Sequence, residues 1–248
     1  MIAVAGGKGG SGKTTTTVGL ARAFSRRGAS VVAADADWDL PNLAALAAET
    51  DDPVATHTGA TPRSRADSDG CAPAQTAPGS GGEHSTVVDV GRRGRLPSWD
   101  RSVPLVLDAP AEPRNVDAEI VLTGLDAAVP AETPLLVDCP AGAAPDAAAP
   151  FRAADRCVLV TTLRRPALRD AVKTAAIARR LGCRPLDVVV TRTASTPDAL
   201  ARLLACPVLA SVPPAPAAPL ADARVAAAYD DAARRLVESY GKDRWRIA

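Results

Sequence analysis

The fold of this chain is decided by a glycine-rich stretch near its start: Gly6-Gly7-Lys8-Gly9-Gly10-Ser11-Gly12-Lys13-Thr14-Thr15. The stretch follows the apolar run Ile2–Ala5, and the pattern after it predicts a helix over residues 16–27. A strand, a glycine loop and a helix in this order predict a loop whose backbone N–H groups surround a phosphate. At this spacing Lys13 is predicted to contact the β- and γ-phosphates of a nucleotide, and the Thr14 hydroxyl to bind Mg²⁺ directly.

Aspartates follow two of the later strands that the sequence predicts. Asp35 and Asp37 come after the apolar residues 31–34, and Asp138 comes after residues 135–137. The carboxyl ends of parallel strands meet at the edge where open α/β sheets bind ligands, so Asp138 is predicted to contact Mg²⁺ through water. Asp35, Asp37 and above all Asp39 have an alternative role to ligand binding, which is to cap a helix that begins near Asn42.

Three segments of the chain carry a family resemblance. Residues 8–14 resemble the deviant Walker A motif of the MinD/ParA family of P-loop ATPases, residues 35–43 resemble its switch I, and residues 138–142 resemble its switch II. The Asp-Pro-Gln-Gly sequence that is more usual in the ParA branch is missing, which places the chain closer to the MinD-like branch. The resemblance covers residues 1–48 and 103–240 and implies a nucleotide-binding α/β domain.

The resemblance assigns roles to individual residues. It implies that Lys8 reaches the phosphates of a partner subunit, that Lys13 acts on the bound nucleotide, and that Asp37 orients the attacking water. It implies that Asp35 lies near the water shell of Mg²⁺ together with Asp138. The nucleotide-binding residues that it implies are Gly7, Lys8, Gly9, Gly10, Ser11, Gly12, Lys13, Thr14, Thr15, Gly142, Thr191, Arg192 and Pro213. Thr191 stands where the family usually has an asparagine that contacts adenine.

The function implied by the resemblance is a Mg²⁺-dependent switch that hydrolyses ATP as a homodimer. Proteins of this type act in cell-division site placement, in chromosome or plasmid partitioning, or in polar positioning, with an activating or cargo protein that the sequence does not identify. Two alternatives stay open. One is a small-molecule enzyme on the same fold, similar to dethiobiotin synthetase or to cobyrinic-acid amidases, which generally lack the early lysine. The other is a regulator that binds a nucleotide without hydrolysing it.

The remaining pattern predicts the architecture. Strands and helices alternate, which predicts one domain over residues 1–248 with a doubly wound, mainly parallel sheet and helices on both faces. Residues 50–102 break this alternation and are predicted to form a low-complexity or irregular insertion. In the helix predicted over residues 116–128, the side chains expected on or near the buried face are Ile120, Val121, Leu122, Leu125 and Ala128. In the helix predicted over residues 166–181, those expected to face inward are Leu168, Val172, Ala175, Ala176 and Leu181.

Composition narrows the possible partners. The net charge is +1 and the arginine cluster at 92–95 has no aromatic neighbours, so nucleic acid is not indicated. No apolar run reaches 18 residues and no leader pattern precedes the first strand, which predicts a cytoplasmic protein. Residues 241–248 form only a short tail, so peripheral attachment to the inner face of the membrane is weakly supported. The five cysteines and two histidines form no zinc motif.

Overall fold

The strands and helices confirm an α/β architecture. The structure, a computed structural model, describes residues 1–7, 9–49, 54–56, 85–112, 116–142, 145–215 and 218–241. The strands within these ranges are β1 (Ile2–Ala5), β2 (Val32–Asp35), β3 (Ala55–Thr56), β4 (Leu105–Leu107), β5 (Leu135–Asp138), β6 (Arg156–Thr161), β7 (Arg184–Thr191) and β8 (Val208–Val212). The helices are α1 (Lys13–Arg26), α2 (Leu43–Ala48), α3 (Val87–Arg93), α4 (Ala118–Ala128), α5 (Pro145–Ala153), α6 (Arg165–Arg180), α7 (Ala199–Leu204) and α8 (Ala223–Leu236). A 3₁₀ turn (Pro219–Ala221) precedes α8 and a π-helical turn (Val237–Gly241) follows it.

The eight strands form one sheet in the order β3-β4-β2-β5-β1-β6-β7-β8, and every pairing among them is parallel. Helix α1 carries the chain from β1 towards one edge of the sheet, whereas α6 carries it from β6 towards the other. Adjacent strands whose connections diverge in this way open a crevice at their carboxyl ends, which is where doubly wound sheets bind ligands. The glycine loop after β1 lies in this crevice.

Each face of the sheet is covered by its own helices. Successive side chains of a strand point to opposite faces, so Ala3 packs into one core and Val4 into the other. The core around Val4 is completed by α1, α2 and α8, and the core around Ala3 by α3 to α7. Both faces are therefore buried, which explains why the central strands are apolar along their whole length instead of alternating with polar residues.

The final part of the insertion predicted at 50–102 contains regular structure, because residues 87–93 form α3. The Thr86 hydroxyl accepts a hydrogen bond from the Asp89 backbone N–H, and the Asp89 carboxylate accepts from the Thr86 N–H, which is a capping box. Gly91 and Gly124 let α3 cross α4 closely, since a Cβ on Gly124 would lie 2.3 Å from the Gly91 carbonyl oxygen. Tertiary packing thus outweighs the low helix propensity of the valines in α3. Residues 50–53 and 57–84 lie outside the described residues.

Three predicted core positions are wrong. Ile120 is 70% exposed on α4, and Val172 and Ala176 lie on the exposed side of α6. Helix α6 buries Ala171 and Ala178 beside the predicted Ala175, and the predicted Leu168 and Leu181 pack partly buried against the same core. Small side chains allow the helix backbone to approach the sheet. The short helices α5 and α7 were not predicted from the sequence.

Candidate functional site

The glycine loop joins β1 to α1 with the geometry that an anion-binding turn requires. Gly12 directly precedes the helix and has φ +91°, a conformation that side chains disfavour. Gly7 packs so closely against α6 that a Cβ there would lie 2.4 Å from the Cβ of Asp170. Lys13 is the first residue of α1 and is 7% exposed. Within the described chain the buried Ser11 hydroxyl has no hydrogen-bond partner, which fits a loop whose polar groups are completed by a ligand.

Asp138 ends β5 beside this loop and is almost fully buried. The Thr17 hydroxyl lies 3.2 Å from Asp138 Oδ1 and 3.1 Å from the Lys13 carbonyl oxygen, so it can donate to either. Burial raises the pKa of Asp138 to about 7; Asp35 adds to the rise, while Thr14, Lys13 and Thr17 oppose it. The loss of hydration on burial therefore has a larger effect on the pKa of this carboxylate than the Lys13 charge and the hydrogen bonds of Thr14 and Thr17.

Asp35 is the register partner of Asp138 on the neighbouring strand β2. Its Oδ1 accepts a hydrogen bond from the Asp37 N–H at 2.9 Å, and its Oδ2 accepts from the N–H groups of Asn42 and Leu43, both at 3.0 Å. Burial raises the pKa of Asp35 to about 6, although these three hydrogen bonds lower it. Asp35 thus holds the turn after β2 and the start of α2, which is the capping role left open for this group.

The other aspartates of this turn are less constrained. Asp37 is half-buried, and its Oδ1 lies 3.3 Å from the Leu40 N–H. Asp39 is exposed and, among the described contacts, makes no hydrogen bond to α2. The side chain that accepts from the start of the helix is therefore Asp35, eight residues before α2 begins at Leu43, and not Asp39.

The donor set at this edge suits Mg²⁺. Asp35 and Asp138 are paired across β2 and β5, and the Thr14 side chain hydrogen-bonds to Asp138. The described residues contain no group of three or more His, Cys, Asp or Glu side chains able to hold a metal on their own. Mg²⁺ commonly uses one or two carboxylates and completes its shell with water and phosphate oxygens, so a hydroxyl and two carboxylates fit it.

The remaining residues predicted to bind the nucleotide lie at or beyond the ends of β5, β7 and β8. Gly142 is exposed with φ +100°, four residues beyond the end of β5, and Pro213 is half-buried just after β8. Arg192 is exposed with φ +59°. The Thr191 side chain is buried, and its hydroxyl donates to the Ser11 carbonyl oxygen at 2.7 Å. Thr191 is the last residue of β7, and its hydroxyl is directed towards the glycine loop.

Two threonines that the sequence did not single out belong to the site. Thr17 contacts Asp138 as described above, and the Thr16 hydroxyl lies 3.2 Å from the Tyr229 hydroxyl of α8. A Cβ on Gly19 would lie 2.3 Å from the Tyr229 ring, so Gly19 allows α8 to pack against α1. The run of four threonines at 14–17 was the available signal, since only the first two belong to the loop motif. Lys8 lies outside the described residues.

Comparison with known proteins identifies relatives of the whole domain. A family model described as the CobQ/CobB/MinD/ParA nucleotide binding domain matches residues 2–225. An uncharacterised ATP-binding protein of Methanocaldococcus jannaschii is 29% identical over 220 residues, which cover 87% of this chain and 74% of that protein.

Solved structures show the same fold. The septum site-determining protein MinD of Pyrococcus horikoshii, complexed with Mg-ADP, superposes with a TM-score of 0.69 at 21% identity over 99% of this chain and 98% of that one. Cobyrinic acid a,c-diamide synthase of Mycobacterium smegmatis, with bound ADP and magnesium, gives 0.59 at 20% identity over 98% and 96%. At these identities the likeness shows the fold and does not separate a switch from a synthase.

The model also bears on membrane attachment. Among the described residues, no helix combines the length and the apolar character that crossing a bilayer requires. The predicted tail at 241–248 lies outside the described residues apart from its first.

Proposed function

Because the chain belongs to the CobQ/CobB/MinD/ParA nucleotide-binding domain family, we propose that it binds and hydrolyses ATP with Mg²⁺ as a dimeric switch. The observation that carries this proposal is the position of Lys13, at the start of α1, beside the buried carboxylate of Asp138, which is the register partner of the buried Asp35. A cation at a helix N-terminus suits a polyphosphate, and two buried carboxylates suit a divalent ion. The name of the ATP-binding relative supports ATP as the nucleotide.

Each side chain has a definite task in this proposal. The backbone N–H groups of the loop and the Lys13 ammonium bind and orient the phosphates. Thr14 would hold Mg²⁺ directly, and Asp138 would hold it through water, with Asp35 nearby. When bound, Mg²⁺ neutralises charge that builds up on the phosphate oxygens. Asp37, at the mouth of the site, orients the attacking water, and Asp35 sets its position by accepting the Asp37 N–H.

The dimer completes the site. In the proposal, Lys8 enters the site of a second copy and adds a positive charge in trans, which by analogy with an arginine finger contributes about 10³–10⁵-fold in rate. The backbone N–H of Gly142 contacts the γ-phosphate, and the loss of this phosphate on hydrolysis loosens the dimer. The output is a nucleotide-timed change of assembly, read by an activating or cargo protein in division-site placement, partitioning or polar positioning. The proposed location is the cytoplasm or the inner face of the membrane.

Two lysine variants test the site and the trans role separately. Lys13→Ala is expected to abolish binding of ATP and ADP, measured by titration calorimetry, because the charge facing the phosphates is lost. Lys8→Ala is expected to keep ADP affinity within about threefold and to lower ATP hydrolysis by about 10³-fold. Equal loss of binding in both variants would show that Lys8 acts in its own subunit.

Dimer formation is tested by gel filtration with light scattering. Asp37→Ala is expected to bind ATP without hydrolysing it, so with ATP and Mg²⁺ it should elute as a dimer, and with ADP as a monomer. The double variant Lys8→Ala/Asp37→Ala is the matched control and should remain a monomer. A single variant that stays monomeric with ATP contradicts the switch. ATP turnover that appears only after a small carboxylic acid is added supports the small-molecule enzyme instead.

A further inference from the structure

We propose that Thr191 is a positioning residue that fixes the phosphate loop to the sheet and takes no part in recognising the base. This inference rests on the proposed function, because the loop is taken to bind a nucleotide. It concerns a position where the family resemblance implied a base contact, and it assigns the side chain to the phosphate half of the site. Base recognition must then come from other residues.

The polar atom of Thr191 is engaged within the protein. Its hydroxyl lies 2.7 Å from the Ser11 carbonyl oxygen and 3.3 Å from the Thr161 carbonyl oxygen, and the residue is 7% exposed. A hydroxyl carries a single hydrogen, so the shorter contact takes it and the Thr161 oxygen is the alternative acceptor. The hydrogen is therefore directed at protein carbonyls whichever acceptor is used, and it is not available to a base.

The methyl group of Thr191 supports the same loop. A Cβ built on Gly12 would lie 3.2 Å from Thr191 Cγ2, so the methyl is in close contact with the residue that precedes Lys13. One side chain thus contacts both Ser11 and Gly12, the two residues that lead into α1. Gly12 has φ +91°, which glycine adopts without strain, and the methyl contact limits the other conformations that a glycine could reach at this position.

The strand beneath the loop holds Thr191 in place. Thr191 is the last residue of β7 and pairs with Val212 of β8. The chain then turns away at Arg192, with φ +59°, and the Thr193 N–H donates to the Val212 carbonyl oxygen at 2.9 Å. The strand pairing and this hydrogen bond therefore fix the backbone on both sides of the turn, and they hold the Cα of Thr191 beneath the loop.

The test uses Thr191→Val, which keeps the shape and removes the hydroxyl, and Thr191→Ser, which keeps the hydroxyl. Thr193→Val is the matched control, since the Thr193 hydroxyl bonds to Ser195 on an exposed turn. Affinities for fluorescent analogues of ADP and GDP and amide hydrogen exchange of residues 9–17 are measured on each full-length variant. The melting temperature confirms folding.

For Thr191→Val we expect about tenfold weaker binding of both analogues, with an unchanged ADP/GDP ratio, and about tenfold faster exchange in the loop, the effect of losing one buried hydrogen bond. Thr193→Val should stay within about twofold of the wild type. Thr191→Ser keeps the hydroxyl but loses the methyl contact with Gly12, so its affinities and loop exchange should lie between those of Thr191→Val and the wild type. A changed ADP/GDP ratio with unchanged loop exchange would restore the base contact and overturn the proposal. Unchanged exchange and affinity in Thr191→Val would also overturn it. If the wild type bound neither analogue, the proposed function would fail, while exchange in the ligand-free protein would still test the positioning role.

Discussion

The two sides of the phosphate loop use polar side chains in different ways. On the side of β5, the carboxylate of Asp138 is buried with little neutralising charge, and its pKa is raised to about 7. On the side of β7, Thr191 is equally inaccessible, but its hydroxyl donates to a loop carbonyl. Both residues end an apolar strand and look alike in sequence. The difference teaches that a polar residue at a strand end can be a ligand group or a support for the backbone, according to its partners.

The largest expected effect tests the ligand side of the comparison. Asp138→Asn removes the buried charge with little change of shape, and we expect about 100-fold slower Mg²⁺-dependent ATP hydrolysis, as for other groups that orient a metal's shell. The affinity for ADP in EDTA should change by less than threefold, which corresponds to about 0.6 kcal/mol of binding free energy. The exposed Asp39→Asn is the control and should hydrolyse ATP at the wild-type rate. Equal effects of the two variants would contradict a special role for the buried position.

The second effect concerns Asp35, which is a buried carboxylate like Asp138 and supports the backbone by hydrogen bonds like Thr191. Asp35→Ala removes the acceptor of three backbone N–H groups, and we expect the free energy of unfolding at pH 7 to fall by about 2 kcal/mol. Asp37→Ala removes a half-buried carboxylate whose Oδ1 lies 3.3 Å from the Leu40 N–H, and it should cost less than about 1 kcal/mol. Urea denaturation of both variants measures the difference. If Asp35→Ala unfolds like the wild type, Asp35 does not hold the turn.

The third effect distinguishes a positioning hydroxyl from one that only fills space. Thr17→Val keeps the volume of Thr17 and removes the donor to Asp138, so about tenfold more Mg²⁺ should be needed for half-maximal enhancement of ATP-analogue binding. Thr17→Ser keeps the donor and should need the wild-type concentration. A shift in Thr17→Ser with none in Thr17→Val would mean that packing of the Thr17 methyl group, not the hydrogen bond, controls the site.

The smallest effect comes from a buried carboxylate away from the loop. Burial raises the pKa of Asp187 to about 6, with Arg235 opposing the rise. Because the folded pKa exceeds the unfolded value, proton binding stabilises the fold below about pH 4, and this stabilisation is lost as the pH rises towards 6. Asp187→Asn should therefore raise the free energy of unfolding by about 1 kcal/mol at pH 7 and change it little at pH 4. ATP hydrolysis should not change, and a loss of activity would contradict a purely structural role.

Prediction from the sequence succeeded where the signal is local. The parallel sheet, the loop and the helix after it follow from apolar runs and glycine spacing. Prediction failed for α3, whose valines indicated no helix until α4 supplied a surface to pack against. It also failed for single positions of α6, where Val172 is exposed and Ala171 and Ala178 are buried. In both cases the outcome depends on packing against elements distant in the chain.

The sequence alone determined that a phosphate-binding loop is followed by a helix and that aspartates end two strands at the same edge. These features depend on neighbouring residues only, through glycine conformation, apolar runs and strand alternation. Tertiary structure decided which polar groups remain for a ligand. The hydrogen bond between Thr17 and Asp138 joins residues 121 positions apart, and that between Thr191 and Ser11 joins residues 180 apart. Such partners come together only when the sheet assembles, because strand order, not sequence distance, determines which side chains meet.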